Sequence, residues 1–276
     1  GTPEAIARLS RADCQAFARR WLVPSNMVVT VSGDVQRETI LEQVRRQFER
    51  MPRAAHPWPP VMAAEPLEGV REASRVVSKE QSVIFIGFRG TQVAAPDRDA
   101  LDVLTAVLSG MSGRLFQAVR EKQGLSYALG AVSVPGWDPG SVALYAATRP
   151  GEQAMVLKTL HATVQLLIEQ GVTAEEVEQA KRYLIGTHRM DLQDLAGLAR
   201  RCTLDELYGV GFEAWRSYES RITAITPGMV QEAASRYLTL PQRAEVVVGP
   251  AAPTDVGAAP AEALQGARNR GDGRRY

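Results

Sequence analysis

The chain has 276 residues, which is enough for one large or two medium domains with a substantial hydrophobic core. Its 32 Lys and Arg nearly balance its 31 Asp and Glu, so no overall field favours nucleic acid, an anionic membrane or a strongly charged substrate. The two cysteines, Cys14 and Cys202, lie far apart in helical patterns, which argues against a disulfide framework and indicates two small core residues. No apolar run reaches the length of a membrane span.

The first fifty residues predict helices on either side of one strand. Apolar residues at helical spacing indicate a helix over residues 3–22, and Ser10 followed by Asp13 indicates a restart of the helix there. The β-branched residues of 27–32 predict a strand, and the amphipathic pattern of 39–48 predicts another helix.

A proline-rich segment then divides the chain. Residues 51–66 contain five prolines, so neither helix nor sheet can propagate and an extended linker is expected. We therefore expect a unit at 1–50, a linker at 51–70, a second unit at 71–249, and a disordered Ala, Pro, Gly and Arg-rich tail at 250–276.

The second unit contains both strand and helix patterns. Four segments have strand character: residues 75–88, 127–134, 141–148 and 244–248. Residues 135–140 are turn-forming, so the middle two strands are expected to form an antiparallel hairpin. Pro96 is expected at the first position of a helix, and helical patterns continue over 152–238, where Thr173 and Glu176 form a capping box.

The N-terminal pattern recurs near the other end of the chain. Ser10, the triplet Arg20-Trp21-Leu22 and a strand ending in Gly33 correspond to Thr226, Arg236-Tyr237-Leu238 and Gly249. From position 10 to position 226 the offset is 216 residues. This indicates a duplicated unit whose second copy is complete and whose first copy retains its last third, the alternative being chance similarity of two amphipathic helix-strand units.

The stretch GMSGRLFQAVREKQGLSY, residues 110–127, carries the most distinctive chemistry. A helix is expected from about 112 to 123, ending at Gly124 and passing directly into a strand. Its expected core-facing side chains are Leu115, Phe116 and Val119. The turn would bring Arg120 and Tyr127 together, where both could donate hydrogen bonds to one carbonyl or oxyanion. The structural alternative is an arginine that stabilises the helix end and a tyrosine that packs.

The sequence contains none of the common motifs for metal binding, nucleophilic hydrolysis or nucleotide binding. Neither H-E-x-x-H nor H-x-x-E-H occurs, and there is no G-x-S-x-G, P-loop or dinucleotide-binding fingerprint in the required context. The three histidines, His56, His161 and His188, stand apart from one another, so each is expected at a surface or interface and not as a metal ligand.

The segment SGMSGRLFQAVREKQGLSYALGA resembles part of the second domain of the pitrilysin (insulinase, mitochondrial processing peptidase) family of zinc peptidases. TPEAIARLSRADCQAFARRWLVPSNMVVTVSGDV resembles the end of the family's first domain. KEQSVIFIGFRG resembles the opening strand of its second domain, and GVTAEEVEQAKRYLIG resembles a helix later in that domain. The resemblance extends from about Gly1 to Gly249, and the spacing of Arg120 and Tyr127 in REKQGLSY is its most specific part.

The resemblance implies a metallohydrolase-like duplicated unit, α+β, with a mostly antiparallel sheet backed by helices and with the first copy truncated. Residues 1–50 would be the end of the first domain and 71–249 the complete second domain. It implies that Arg120 and Tyr127 bind the substrate carbonyl near a zinc ion. The zinc motif H-x-x-E-H belongs to first-domain sequence outside this chain, so zinc is expected in the complete enzyme and none in this chain.

Two functions are therefore expected as alternatives. In the first, the chain supplies the Arg and Tyr pair to a zinc metalloendopeptidase that cleaves peptides, as its C-terminal portion or as a partner subunit. In the second, the chain is a non-catalytic structural or peptide-binding subunit of a larger complex. In both cases the unpaired apolar faces of 1–50 predict contact with the missing first-domain segment or a partner, or dimerisation. Low cysteine content is compatible with the cytoplasm and with the periplasm.

Overall fold

The computed structural model describes residues 1–52, 65–110, 112–121 and 126–250. For residues 120, 121, 126 and 127 it describes the backbone and not the side chain. Most of the expected linker and the expected tail, from residue 251 onward, lie outside the described residues.

The described chain forms nine α-helices and five strands. The helices are α1 Pro3–Ala7, α2 Arg11–Trp21, α3 Arg37–Phe48, α4 Arg98–Leu108, α5 Gln153–Gln170, α6 Ala174–Asp191, α7 Leu195–Leu207, α8 Tyr218–Ala224 and α9 Pro227–Tyr237. The strands are β1 Arg71–Val76, β2 Ser82–Arg89, β3 Ser126–Val134, β4 Ser141–Thr148 and β5 Ala244–Gly249. None of the helices in this part of the chain combines the length and the apolar character needed to cross a membrane.

All five strands belong to one sheet in the order β1-β5-β2-β4-β3. Only β1 and β5 pair in parallel, while β5–β2, β2–β4 and β4–β3 pair antiparallel. The predicted α+β fold with a mostly antiparallel sheet is confirmed, and β3 and β4 form the predicted hairpin. The last strand in sequence, β5, enters the sheet between the first two.

One predicted strand is wrong in its extent. Residues 75–88 were expected as a single strand, whereas the structure has β1 and β2 with the polar residues 78–81 between them. The chain leaves the sheet after β1, and β5 occupies the position next to β1. A polar break within an apolar run therefore separates two strands that are not neighbours in the sheet.

The core lies between one face of the sheet and a layer of helices. Fully buried side chains meet there from β2, β4, α4 and α5: Ile84, Ile86, Val142, Leu144, Leu101, Leu104, Leu108, Leu160 and Leu167. Burying each such side chain contributes about 1.5–3 kcal/mol before the entropy of ordering is counted. This core holds in place the segment between α4 and β3.

Helix α4 begins two residues later than predicted. Its N-cap residue is Asp97, so Pro96 lies before the helix and is not its first residue. The Asp97 carboxylate accepts hydrogen bonds from Thr91, Arg236 and Tyr237 at 3.1, 2.8 and 2.6 Å. Two of these bonds come from α9, which is distant in sequence, so a local pattern could not indicate that Asp97 is the N-cap residue.

The N-terminal region matches the prediction in its helices and differs in its strand. The Ser10 and Asp13 capping box separates α1 from α2, as expected. Residues 27–32 form no strand, because none of the strands in the described chain pairs with them. Helices α1, α2 and α3 contain no buried residue, and Cys14 is exposed, contrary to the expectation of a core position. Cys202 is buried as expected.

The helices of the two repeated segments fold alike, whereas only the second copy forms the strand, β5. Helices α2 and α9 each contain 11 residues, and each has an N-cap hydroxyl, from Ser10 and from Thr226, that accepts a bond from the backbone N–H three residues later. Their C-cap residues, Leu22 and Leu238, have similar backbone angles and each donates its N–H to the carbonyl four residues earlier. The helical part of the sequence repeat is therefore also a repeat of local structure.

The two copies differ in what covers them. Ile222 is 0% exposed in the second copy, whereas its counterpart Ile6 is 64% exposed. Leu238 is 0% exposed, whereas Leu22 is 55% exposed. The same apolar positions thus form part of a core in one copy and face outward in the other.

Candidate functional site

The candidate site lies in the connection between α4 and β3. Arg120 belongs to a π-helical turn, Phe116–Glu121, and Tyr127 is the second residue of β3. Their side chains and residues 122–125, including the predicted helix end at Gly124, lie outside the described part of the chain. The predicted helix over 112–123 is present at residues 114–121, where it is π-helical from Phe116 to Glu121.

Two apolar side chains fasten this turn to the core. Leu115 and Val119 are fully buried, as predicted. Phe116 was also expected in the core but is only partly buried, because it lies beside the face that Leu115 and Val119 share. The backbone that carries Arg120 is therefore held from one side by the core.

An ion pair stabilises the start of the segment that leads to Arg120. Arg114 donates from Nε and Nη2 to the two carboxylate oxygens of Glu176 at 2.6 and 2.8 Å, and from Nη2 to the Gly171 carbonyl at 2.7 Å. Glu176 also accepts from the Thr173 N–H at 2.7 Å, which completes the predicted capping box of α6. The Arg114 hydrogen bond holds the pKa of Glu176 below its ordinary value in spite of partial burial. One carboxylate thus caps α6 and anchors the segment leading to Arg120.

Glycine is required where the segment leaves α4. A Cβ atom on Gly113 would lie 2.1 Å from the carbonyl oxygen of Ser109, so no side chain fits at this position. Gly110 has a φ of +80°, in the left-handed region that glycine adopts without strain. The two glycines allow the chain to fold tightly against the end of α4.

The strand side of the connection is irregular at Tyr127. Ser126 pairs with Thr148 and Ala128 pairs with Ala147, so Tyr127 is an extra residue at a shift in the β3–β4 register. Further along β3, the Ser109 hydroxyl accepts from the Ala131 N–H at 2.8 Å and donates to its carbonyl at 3.0 Å. Bulges and π-helical turns both occur preferentially at functional sites, where they redirect a side chain.

Sequence reasoning predicted Arg120 and Tyr127 as site residues, which stays a prediction, and it did not point to Arg114 or Ser109. The signal for Glu176 was the capping box, which is local. Its bond to Arg114 spans 62 residues, and the bond between Ser109 and Ala131 spans 22, so neither leaves a local pattern. Both residues act on the backbone that carries the two predicted donors.

The described residues do not fit a zinc ion. They contain no cluster of three or more His, Cys, Asp or Glu side chains able to hold a metal. His161 bonds Glu245, whose carboxylate also accepts from Arg243, so that carboxylate is already neutralised. His188 was expected at a surface or interface, but it is buried against Tyr218, and this burial lowers its pKa. His56 lies outside the described residues.

The sheet and the helices packed on it define an α+β fold that solved structures share. The fold is similar to that of a protease from Helicobacter pylori, with a TM-score of 0.81 and 20% identity over 91% of this chain and 61% of that chain. It is also similar to the peptidase M16 inactive domain from Pseudomonas fluorescens, with a TM-score of 0.79 and 23% identity over 92% of this chain and 61% of that chain. At these identities the likeness shows the fold.

Sequence similarity identifies the family. Residues 8–184 match the family described as the peptidase M16 inactive domain, and the chain therefore belongs to the peptidase M16 family. It is 31% identical over 245 residues to an uncharacterised zinc protease of Streptomyces coelicolor, covering 85% of this chain and 52% of that protein. A zinc protease of Bacillus subtilis, also uncharacterised, is 27% identical over 75% of this chain and 50% of that protein. The chain spans about half the length of these relatives, and their names support zinc as a metal of the family.

Proposed function

We propose that this chain supplies the substrate-carbonyl donors Arg120 and Tyr127 to a zinc metalloendopeptidase whose metal is bound by another domain or subunit. Membership of the M16 family supports the reaction class. The observation that carries the residue assignment is the backbone between α4 and β3. It places the two residues on either side of one short connection, Arg120 in a π-helical turn and Tyr127 at a β-bulge.

The contacts that hold the described residues before Arg120 and after Tyr127 support the proposal. Donors stabilise a developing oxyanion best when they are held in position before the reaction begins. Leu115 and Val119 in the core, together with Arg114 on Glu176, hold the first part of the connection, and Ser109 on Ala131 holds β3. These contacts restrict the backbone on both sides of the proposed pair.

In this proposal the two residues act only on the substrate carbonyl. The Arg120 guanidinium and the Tyr127 hydroxyl donate hydrogen bonds to its oxygen, and these bonds strengthen as negative charge develops on that oxygen. The guanidinium stays protonated throughout, because its pKa lies far above neutral pH. Zinc supplies its Lewis-acid chemistry from the other domain.

The test measures hydrolysis of a fluorogenic peptide by this chain combined with a domain that carries H-x-x-E-H. That domain is to be sought in the coding sequence upstream of Gly1 and in neighbouring reading frames. Arg120→Ala and Tyr127→Phe are each expected to lower kcat by about a hundredfold, which is typical for loss of one oxyanion donor. Zinc removal is expected to abolish turnover.

Arg200→Ala is the matched control, because Arg200 is exposed on α7 away from this connection. It should leave kcat unchanged. If Arg120→Ala and Tyr127→Phe also leave kcat unchanged, the residue assignment is wrong. If a reconstituted complex binds peptide and never hydrolyses it, the alternative of a non-catalytic peptide-binding or structural subunit is favoured.

We also propose that a unit of the same fold covers the N-terminal segment. Residues 1–50 would be the end of a first peptidase-like domain, 51–70 a linker, 71–249 the second domain and 250–276 a disordered tail. The repeat supports this, because the positions exposed at Ile6 and Leu22 are core positions in the second copy. The covering unit would be the missing first-domain segment, a partner subunit or, in a dimer, a second copy of this chain.

Hydrogen exchange tests whether another unit covers residues 1–50. Amides of α2 are expected to exchange quickly in the isolated chain and to become protected when the H-x-x-E-H domain is added. Ile6→Asp should weaken this association, whereas Glu38→Gln, on exposed α3, should not. Full protection of α2 in a dilute monomer would contradict the proposal.

A further inference from the structure

The face of the sheet opposite the helices is apolar and exposed. Along β2, Ile84 and Ile86 are fully buried under the helices, whereas Phe85 between them is 42% exposed on the opposite face. Val246 on β5 and Val132 on β3 are exposed on that face as well. We call this surface the open face. An exposed apolar patch of this kind commonly marks a binding site.

The strand register arranges the open face in rows that cross the sheet. The central row, from β1 to β3, contains Ala73, Val246, Phe85, Tyr145 and Gly130. The rings of Phe85 and Tyr145 lie 6.2 Å apart. A Cβ atom on Gly130 would lie 2.9 Å from the Tyr145 hydroxyl oxygen, so the Tyr145 ring extends over the glycine. The middle of the central row is therefore an aromatic ridge.

The next row runs across the sheet beside this ridge. From β1 to β3 it contains Arg75, Val248, Val83, Ala147 and Ala128. Its side chains on β4 and β3 are alanines, which are much shorter than the aromatic rings beside them. The row begins at Ala128, one residue from Tyr127, and ends at Arg75. Five strands at a spacing of about 4.8 Å make it about 19 Å long, which an extended peptide spans with about six residues.

The charged side chains on the open face are all arginines and therefore positive. Arg71 and Arg75 face outward from β1, and Arg89 lies at the end of β2 on the same face. No Asp or Glu of the five strands shares this face, and none of the three guanidinium groups has an ion-pair partner within the described residues. Unneutralised arginines beside an apolar surface attract a carboxylate.

We infer that the open face binds an extended segment of the peptide substrate that combines an apolar side chain with an acidic one. The apolar side chain packs against Phe85 and Tyr145. The acidic side chain pairs with Arg75, about five or six residues from the carbonyl bound at Tyr127. The inference rests on the proposed function for the position of that carbonyl, and it adds the substrate class.

The test measures binding without hydrolysis, using the full chain and no zinc. Fluorescein-labelled nonapeptides carry a central Phe and, three residues away, Asp, Asn or Lys, because two strand spacings of about 4.8 Å separate Phe85 from Arg75. A fourth peptide replaces Phe with Ser. By fluorescence anisotropy the Phe and Asp peptide is expected to bind about fivefold more tightly than its Asn counterpart. Loss of the Phe ring is expected to weaken binding about tenfold.

Variants assign the binding to the open face. Arg75→Glu should reverse the preference from the Asp to the Lys peptide, and Phe85→Ser should remove the advantage of Phe over Ser. Arg182→Glu makes the same charge change at an exposed position on α6, in the helical layer, and should leave the preference unchanged. Circular dichroism confirms that each variant is folded.

Two results would overturn the inference. One is equal binding of all four peptides. The other is self-association of the chain that Phe85→Ser abolishes with no peptide binding, which would make the open face an interface between copies. The proposed function can fail separately. If kcat is unchanged in Arg120→Ala while the chain still prefers the Asp peptide, the proposed function is overturned and this inference is not.

Discussion

The ion pair between Arg114 and Glu176 is predicted to stabilise both α6 and the segment that carries Arg120. Glu176→Gln separates its two roles. Glutamine still accepts a bond from the N-cap N–H, so the capping box survives, whereas the charge that pairs with Arg114 is lost. Arg114→Met removes the other partner and keeps much of the side-chain volume. Glu176→Gln therefore reports on the ion pair with little change in packing, whereas Arg114→Met also removes the bond to the Gly171 carbonyl.

The expected loss in the free energy of unfolding follows from the burial and the geometry of the ion pair. The Arg114 and Glu176 side chains are 21% and 28% exposed and form two bonds, at 2.6 and 2.8 Å. Hydrogen bonds between charged groups contribute about 1.5–3 kcal/mol, and the residual exposure favours the lower end. We expect Glu176→Gln to lower the free energy of unfolding by about 1.5 kcal/mol, which corresponds to a fall in Tm of about 3–6 °C.

Arg189→Met is the matched control. Arg189 forms the same bidentate geometry with Glu219, at 2.8 and 2.5 Å, but these side chains are 66% and 40% exposed. Because solvent screens exposed pairs, this variant should lose no more than about 0.5 kcal/mol. Equal losses in Arg114→Met and Arg189→Met would refute the reasoning that burial makes the first pair the stronger.

The pH dependence gives a second check. The pKa of Glu176 is lowered in the folded chain from its ordinary value of 4.5, so its contribution to stability is fully present above about pH 5. The contribution is lost as the pH falls from 4.5 through the folded-state pKa. Urea unfolding at several pH values should show the difference between wild type and Glu176→Gln shrinking below pH 4.5. A difference that does not change with pH would show that charge is not its cause.

Three other substitutions have expected effects on stability that chemical unfolding measures. Ser109→Ala should cost about 1–2 kcal/mol, because both bonds to Ala131 are lost, and light scattering should show more aggregation through the freed edge of β3; unchanged stability would contradict the role of this contact. Gly113→Ala should cost about 1–3 kcal/mol through its clash with the preceding turn, and a neutral effect would refute the close approach. Burial raises the pKa of Asp102 to about 6 in spite of Arg98 at 3.9 Å, so the folded chain binds the proton more tightly than the unfolded chain. Stability should therefore fall by up to about 3 kcal/mol as the pH rises from 4 to 6 and stay level above that, and Asp102→Asn should remove this fall.

The sequence by itself was sufficient where local interactions decide the structure. The capping boxes at Ser10 and Thr173 and the hairpin of β3 and β4 were predicted from short patterns, because their hydrogen bonds join residues close in the chain. The repeat was visible for the same reason, since each copy carries the same cap and the same apolar spacing. The family was predicted from the resemblance of several segments, and the roles of Arg120 and Tyr127 are what that resemblance implies.

Only the tertiary structure decided the features that depend on distant partners. β5 separates β1 from β2, and residues 27–32 form no strand without a neighbour, because a strand exists only through pairing. The contact of Arg114 with Glu176 likewise joins residues 62 positions apart, which no local pattern encodes. The row from Ala128 to Arg75 depends on the register of all five strands, so the open face became visible only once the sheet was assembled.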